Sequence, residues 1–223
     1  MIMECYKVKG INDMNIYLVR HARQSSTLCN VNVDLSEEGI CQAKLLAKRL
    51  KDVPFDALYS SNLIRAIQTA EIVNEYHDLK HEIRENIKEI DFGDWTGLED
   101  DKINELYQDF IIENGKLLED LSYPGGENGQ DVVERAMPVL DEIIQSGKEN
   151  VLVITHGGVV RALTAHLLGL DLSQKGLFGA SLEHTSITQF IFNKDTKRFY
   201  LQRFNDHAHL EGNPELMRYR WKQ

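Results

Sequence analysis

No apolar run in the 223-residue chain approaches the roughly 20 residues that a membrane-spanning helix needs. Residues 1–13 mix charge with polarity and lack the apolar core of a signal peptide. A cytoplasmic protein without a membrane partner is therefore expected, with residues 1–13 as an N-terminal extension. Cysteine is scarce. Cys5, Cys29 and Cys41 are odd in number and show no C-x-x-C spacing, which speaks against a disulfide framework and a cysteine-based zinc site. Reduced thiols remain, with a reactive cysteine as the alternative. Basic charge is also short. The formal net charge of −10 argues against a nucleic-acid partner but not against an anionic small molecule, because a few local arginines can reverse the field inside a pocket. There is no internal repeat and no low-complexity segment.

What is present is a rhythm of strands and helices. Ile16-Tyr17-Leu18-Val19 is an unbroken apolar run that suits a central strand covered on both faces, and Arg20 and His21 follow it directly. Side chains alternate across a strand, so both groups serve one site only if the chain leaves the strand near His21. After a polar loop over residues 22–34, Ser36 with Glu37 and Glu38 marks a helix start. Leu35 and Ile40 have the spacing of a hydrophobic staple, and Ile40, Ala43, Leu46, Ala47 and Leu50 form an inward stripe. A second strand is expected at 57–59, with Ser60-Ser61-Asn62 capping a helix that runs to about residue 76. Leu63, Ile67 and Ala70 would face its core, and Arg65 lies near its first turn.

Residues 83–130 interrupt this rhythm. Ile83, Ile87 and Ile90 suggest a strand or extended segment, 91–97 a turn-rich loop, 98–118 a helix and 123–127 another turn. The stretch is too short to bury a core of its own comfortably and reads as an insertion capping a site. A helix over 129–145 follows, with Val132, Val133, Ala136, Leu140 and Ile144 inward and Pro138 expected to kink it or end its first half. Val151-Leu152-Val153-Ile154 is the strongest strand, and a helix over 159–168 closes at Gly169. A β-hairpin is centred on Asn193-Lys194-Asp195, and a polar tail from Asn205 is expected to loop over the surface. The pattern predicts an α/β fold: a three-layer α/β/α sandwich with a mostly parallel central sheet and a small capping insertion at about 83–130. The domain would span 14–210, followed by a C-terminal tail over 211–223.

Two of these strands end alike, Val-Arg-His at position 21 and Ile-Thr-His at position 156. Parallel strands bring both histidines to one edge of the sheet, together with Arg20 and Arg65. Arginine forks bind phosphate oxygens, and Gly157 and Gly158 open a helix whose free amides favour an anion. An imidazole kept neutral by neighbouring arginines can attack phosphorus, and Glu89 in the insertion is the candidate acid for the leaving group.

Five motifs in order resemble the histidine phosphatase superfamily, the clan of cofactor-dependent phosphoglycerate mutases and their phosphatase relatives. They are Leu18-Val19-Arg20-His21, Ser60-Ser61-Asn62-Leu63-Ile64-Arg65-Ala66, Glu89 with Phe92-Gly93-Asp94-Trp95, Pro124-Gly125-Gly126-Glu127 and Thr155-His156-Gly157-Gly158. The resemblance implies that His21 is the nucleophile that becomes phosphohistidine. It implies that Arg20, Arg65 and His156 hold the phosphoryl oxygens with the Gly157 amide, and that Glu89 protonates the leaving group and then activates water. It also implies no metal and no organic cofactor, and a small phosphorylated substrate as the partner. The expected activity is phosphomonoester hydrolysis. The alternatives are a phosphoglycerate mutase, which in this family carries a longer insertion before the Gly-Gly-Glu motif, and an inactive phospho-ligand-binding protein of the same fold.

Departures from the family pattern gather on the substrate side. Ala22 stands where glycine is usual, Arg23 and Gln24 replace a short acidic or Gln-Thr pair, and Asn30 lies at a longer spacing than the family's phosphate-loop asparagine. Thr96, Asn128 and His184 stand where Glu, Ser and Asn are common. Arg23 is a candidate for a distal anionic group of the substrate, Asn30 for the phosphate loop, and Glu127 for the entrance or for capping the next helix. Trp95 is expected to pack the insertion against the site. His166 is read as structural, and His77 and His81 as solvated. His207 and His209 suggest a metal, but no Cys or Glu cluster completes the set. Trp221 lies in a basic tail with Arg218, Arg220 and Lys222.

Overall fold

The computed structural model describes residues 13–179 and 181–218; Cys5, the expected N-terminal extension up to residue 12, and Trp221 with Arg220 and Lys222 lie outside the described residues. Six strands form one sheet: β1 (Asp13–Arg20), β2 (Ala57–Ser60), β3 (His81–Ile83), β4 (Asn150–Thr155), β5 (Ile187–Asn193) and β6 (Arg198–Asp206). Their order is β3-β2-β4-β1-β5-β6. The first four are mutually parallel, and β5 and β6 run antiparallel at one edge as the expected hairpin.

Strand alternation divides the core into two layers. Met14, Ile16 and Leu18 of β1, with Val151 and Val153 of β4, pack against α5 (Gly129–Gln145) and α6 (Gly157–Leu167). Val19, Leu152 and Ile154 face the other way, onto α1 (Glu37–Leu50) and α2 (Ile64–Asn74). Both faces are thus covered, which is why these strands read as continuous apolar runs. The result is the expected three-layer sandwich. Among the described residues, no helix is long and apolar enough to cross a membrane.

Local differences from the expected pattern have physical causes. Ile40 is 39% exposed rather than inward. Gly39 takes the inner position instead, where a Cβ would lie 2.0 Å from the Arg23 carbonyl oxygen, so the start of α1 presses on the backbone of the Arg23 loop. The buried face of α2 is Arg65, Ala66, Thr69, Ala70 and Val73, not Leu63 and Ile67. Its N-cap is Leu63, whose amide donates to Ser61 Oγ, and Asn32 Oδ1 accepts from the Ile64 amide. The helix is rotated because Arg65 is drawn into the sheet end. Pro138 does not end α5, whose apolar face stays buried from Val132 to Ile143. The missing backbone bond and ring clash cost about 3 kcal/mol, and burial of several Val, Leu and Ile side chains at about 1.5–3 kcal/mol each exceeds that.

The stretch between β3 and α5 holds two short helices rather than one long one: α3 (Asp100–Leu106) and α4 (Gln108–Gly115), broken at Tyr107. Trp95 anchors them, with its ring 5.0 Å from Tyr123, 5.7 Å from Phe110 and 5.9 Å from Tyr107. The segment after Asn205 is not a loose surface loop. Leu210 and Leu216 are buried, and the Leu216 carbonyl accepts from Gln42 Nε2 and Arg23 Nη2. Two apolar anchors in a polar run are too sparse to give a periodic signal.

Candidate active site

The site lies at the carboxyl ends of β1, β4 and β2. Register pairs Arg20 with Thr155 and Ser60 with Ile154, so His21, His156 and Ser61 are each the first residue past a neighbouring strand. The His21 amide donates to the Thr155 carbonyl at 2.8 Å, and the Ser61 amide to the Ile154 carbonyl at 3.1 Å. These bonds extend the sheet by one step and bring the two imidazoles to 4.9 Å between ring centres. Such strand ends are where open α/β sheets place ligands.

His21 is 3% exposed, and its Nδ1 lies 2.7 Å from the Ala22 carbonyl oxygen. A carbonyl only accepts, so Nδ1 carries the proton and Nε2 presents a lone pair. That lone pair faces Arg65, whose Nε–H donates to it at 3.2 Å. Burial, then the charges of Arg65 and Arg20, push the His21 imidazolium well below its ordinary range. The Ala22 amide donates to Thr69 Oγ1 at 3.0 Å, and the Thr69 hydroxyl donates to the Arg65 carbonyl at 2.7 Å.

Arg65 is buried, and its other donors go to the Val31 carbonyl and to Asn30 Oδ1, at 3.0 and 2.9 Å. Asn30 also donates to the Ile90 carbonyl and sits at φ +47°, a conformation Asn tolerates better than most residues. The structure thus places Asn30 as the brace of a guanidinium whose three hydrogen bonds go to no carboxylate. Arg20 donates to the Leu182 carbonyl, while its buried Nε has no partner. Burial, followed by the charges of Arg218 and Arg161, lowers Arg20 to about 9. It stays cationic at neutral pH.

His156 caps α6, with Nε2 2.7 Å from Ser61 Oγ and a buried Nδ1 that has no partner. Burial and then His21, Arg65 and Arg20 hold it neutral. Gly157 begins α6, so its amide belongs to the helix's unsatisfied first turn. Gly158 has a different task. Its amide donates to Glu89 Oε1 at 2.9 Å, and a Cβ there would meet that oxygen at 2.6 Å. The Ile90 amide donates to the same oxygen at 3.0 Å, which leaves Glu89 Oε2 for the cleft.

Two adjoining cavities meet at Arg20, Glu89, Phe92 and Arg218. One, ≈ 690 Å³, contains His21, Arg65, Asn30, Arg23 and His184. The other, ≈ 620 Å³, is lined by Gly157, Arg161, Lys175 and Tyr123. Arg23 therefore lines the first, tied through Nη2 to the Leu216 carbonyl. Glu127 is not brought to either cavity. Both its carboxylate oxygens accept from Arg135, and one also accepts from the Asp91 amide. Arg135 in turn donates to the Glu89 carbonyl, so Glu127 braces the segment that carries Glu89.

Further residues lie near His21, Arg65 and His156, of which only His184 is marked in the sequence as a substrate-side departure. Ser61 was read only as a cap. Arg161 lies four residues past Gly157 on the same helix face, a spacing that points at the site. His184 is buried, with its ring 5.7 Å from that of His21. It is followed by Thr185, whose φ of +57° is strained for a β-branched residue at about 1–3 kcal/mol. Arg218 stands out in the sequence only as part of a basic tail, and Glu183 has no sequence signal. Elsewhere, His81 bonds Ser60 Oγ through Nε2, His77 packs edge-on to Phe55, His166 is exposed and His209 bonds Thr185 Oγ1.

A neutral buried imidazole, two arginines without carboxylate hydrogen-bond partners, a second neutral imidazole and a helix start make a receptor for a tetrahedral dianion. The comparisons agree with that geometry. The chain is 30% identical over 203 residues to phosphoserine phosphatase 1 of Hydrogenobacter thermophilus, covering 88% of this chain and 94% of that protein. It is 32% identical over 170 residues to a 2,3-bisphosphoglycerate-dependent phosphoglycerate mutase of a Methylobacterium species, covering 70% and 81%. Its structure matches that of a mycobacterial glucosyl-3-phosphoglycerate phosphatase in complex with inorganic phosphate, with a TM-score of 0.79, 26% identity and coverage of 88% and 99%. A family model described as histidine phosphatase superfamily, branch 1, matches residues 16–207. The chain is a member of the histidine phosphatase superfamily.

Proposed function

We propose that the protein hydrolyses a small phosphomonoester through a phosphohistidine at His21. The observation that carries this reading is the His21 Nδ1 contact with the Ala22 carbonyl, which leaves Nε2 unprotonated beside Arg65 in a cavity that Arg20 and Glu89 also line. In the first step Nε2 attacks phosphorus, the bond from phosphorus to the ester oxygen breaks, and Glu89 gives its proton to the leaving oxygen. Arg20, Arg65, His156 and the Gly157 amide face the phosphoryl oxygens as charge develops on them. In the second step water attacks phosphorus, Glu89 takes its proton, and the N–P electron pair returns to Nε2. Inorganic phosphate leaves with the imidazole neutral again.

A mutase reading has relatives in its favour. Hydrolysis is preferred because the segment between Trp95 and the Gly-Gly-Glu motif adds only two short helices. The His21→Ala variant should lose about 10⁴-fold or more in kcat on an aryl phosphate and form no acid-labile phospho-enzyme. Full activity in that variant would sink the mechanism. Phosphoryl transfer from 2,3-bisphosphoglycerate to a monophosphoglycerate, faster than phosphate release, would make the protein a mutase.

A further inference from the structure

The second cavity holds more positive charge than phosphoryl binding uses. Arg161 lies on its wall, away from the cavity that contains His21, and donates to the carbonyls of Phe178 and Gly179. Lys175 is neutralised by an ion pair with Asp120. Arg218 lines both cavities and comes from the C-terminal segment, past the residues 16–207 that the family shares.

The placement of Arg218 is constructed. Its amide donates to both oxygens of Glu183, at 3.0 and 2.9 Å. Glu183 is 3% exposed and also accepts from the His184 amide. Two residues earlier, buried Leu216 has its carbonyl held by Gln42 at 2.6 Å and by Arg23 at 3.2 Å. A buried carboxylate and a buried amide side chain thus hold the backbone at residue 218 itself and at residue 216, leading into one exposed arginine. Burial and the charge of Arg218 lower both Arg20 and Arg161, with Glu89 offsetting part of the effect on each, so positive charge is concentrated around this cavity.

We infer that Arg218, with Arg161, forms a second anion subsite on the leaving-group side of Glu89, and that the substrate's alcohol carries an acidic group of its own. This rests on the phosphomonoesterase reading and narrows its substrate class. Carboxylate and phosphate share the chemistry that a guanidinium fork recognises.

The test uses two matched pairs of esters. Phosphoserine against phosphoethanolamine differs by a carboxylate, and propane-1,3-diol bisphosphate against its monophosphate differs by a phosphate. The wild-type protein should favour the acidic member of one pair by about tenfold or more in kcat/KM, the order expected for one charge-assisted fork. Arg218→Ala should collapse that preference to about threefold or less, and Arg218→Lys should retain only part of it, because it keeps the charge but not the fork. A wild-type protein indifferent in both pairs, or a preference that survives Arg218→Ala, overturns the inference while leaving the phosphatase reading intact. If the wild-type protein cleaves neither these esters nor an aryl phosphate, the phosphatase reading fails and the subsite falls with it.

Discussion

The wall of the cleft that carries His21, Arg65 and His156 is made of strand ends and the first turns of α2 and α6, and those three side chains are buried. The opposite wall is made of the segment around Phe92 and Tyr123, the loop after α6, and the C-terminal segment that brings Arg218. The first wall is held by sheet register and two apolar cores. The second is held by a few specific bonds, such as Glu183 to the Arg218 amide and Asp120 to the Gly129 and Gln130 amides. Rigid elements suit groups that must meet a transition state within a fraction of an ångström, and loops suit groups that choose the substrate. Changes in the first wall should therefore act on the chemistry of any ester, and changes in the second on which ester is used.

Three measurements sharpen or break that division. The largest effect should come from Arg65→Ala, which removes a guanidinium proposed to hold the phosphoryl oxygens and should lower kcat/KM about 10³-fold on acidic and neutral esters alike. A loss confined to acidic esters would show that the two walls have been assigned the wrong way round. Next, Glu89→Gln should cost about 10²-fold on an alkyl phosphate and distinctly less on a nitrophenyl phosphate, whose leaving group needs little protonation. Equal losses on both would remove Glu89 from the leaving-group side.

The smallest effect is on stability. His21, His156 and His184 are held neutral in the folded state, far below the value of 6.5 they take when exposed. Below pH 6.5 the unfolded chain binds protons that the folded chain refuses, so stability rises with pH and is lost as pH falls from 6.5 toward 5. One such histidine gives a slope of about 1.4 kcal/mol per pH unit, and the three together should exceed it. Urea unfolding at pH 7, 6 and 5 measures the slope, and a flat profile would mean that these rings charge freely in the folded protein.

The first wall was legible in the sequence because its residues follow apolar runs. Val19 and Ile154 mark buried strands, and whatever follows a buried parallel strand meets at one sheet edge. Glu89 was legible as an acid carried by the capping insertion, and the family resemblance singled it out further, since no local pattern separates it from Glu85 or Asp91. The second wall was largely silent. Glu183 and Arg218 meet across 35 positions through a backbone amide, and an amide has no sequence signature. Leu210 and Leu216 gave no periodicity, so the segment that carries Arg218 read as a surface tail. The face of α2 was misread for the same reason in reverse. An arginine was not expected inward, although the site draws Arg65 there.

The bonds around Ala22 close on themselves. His21 donates to the Ala22 carbonyl, the Ala22 amide to Thr69, Thr69 to the Arg65 carbonyl, and Arg65 back to His21. A closed circuit of four donors runs in one sense only. Moving the imidazole proton to Nε2 would set it head-on against the Arg65 N–H and leave the Ala22 carbonyl without a donor. In the proposed mechanism His21 therefore needs no proton rearrangement before it attacks. The same bonds tie His21 to the first turn of α2, which carries Arg65, so the imidazole and the guanidinium are held to one another and not only to the sheet end.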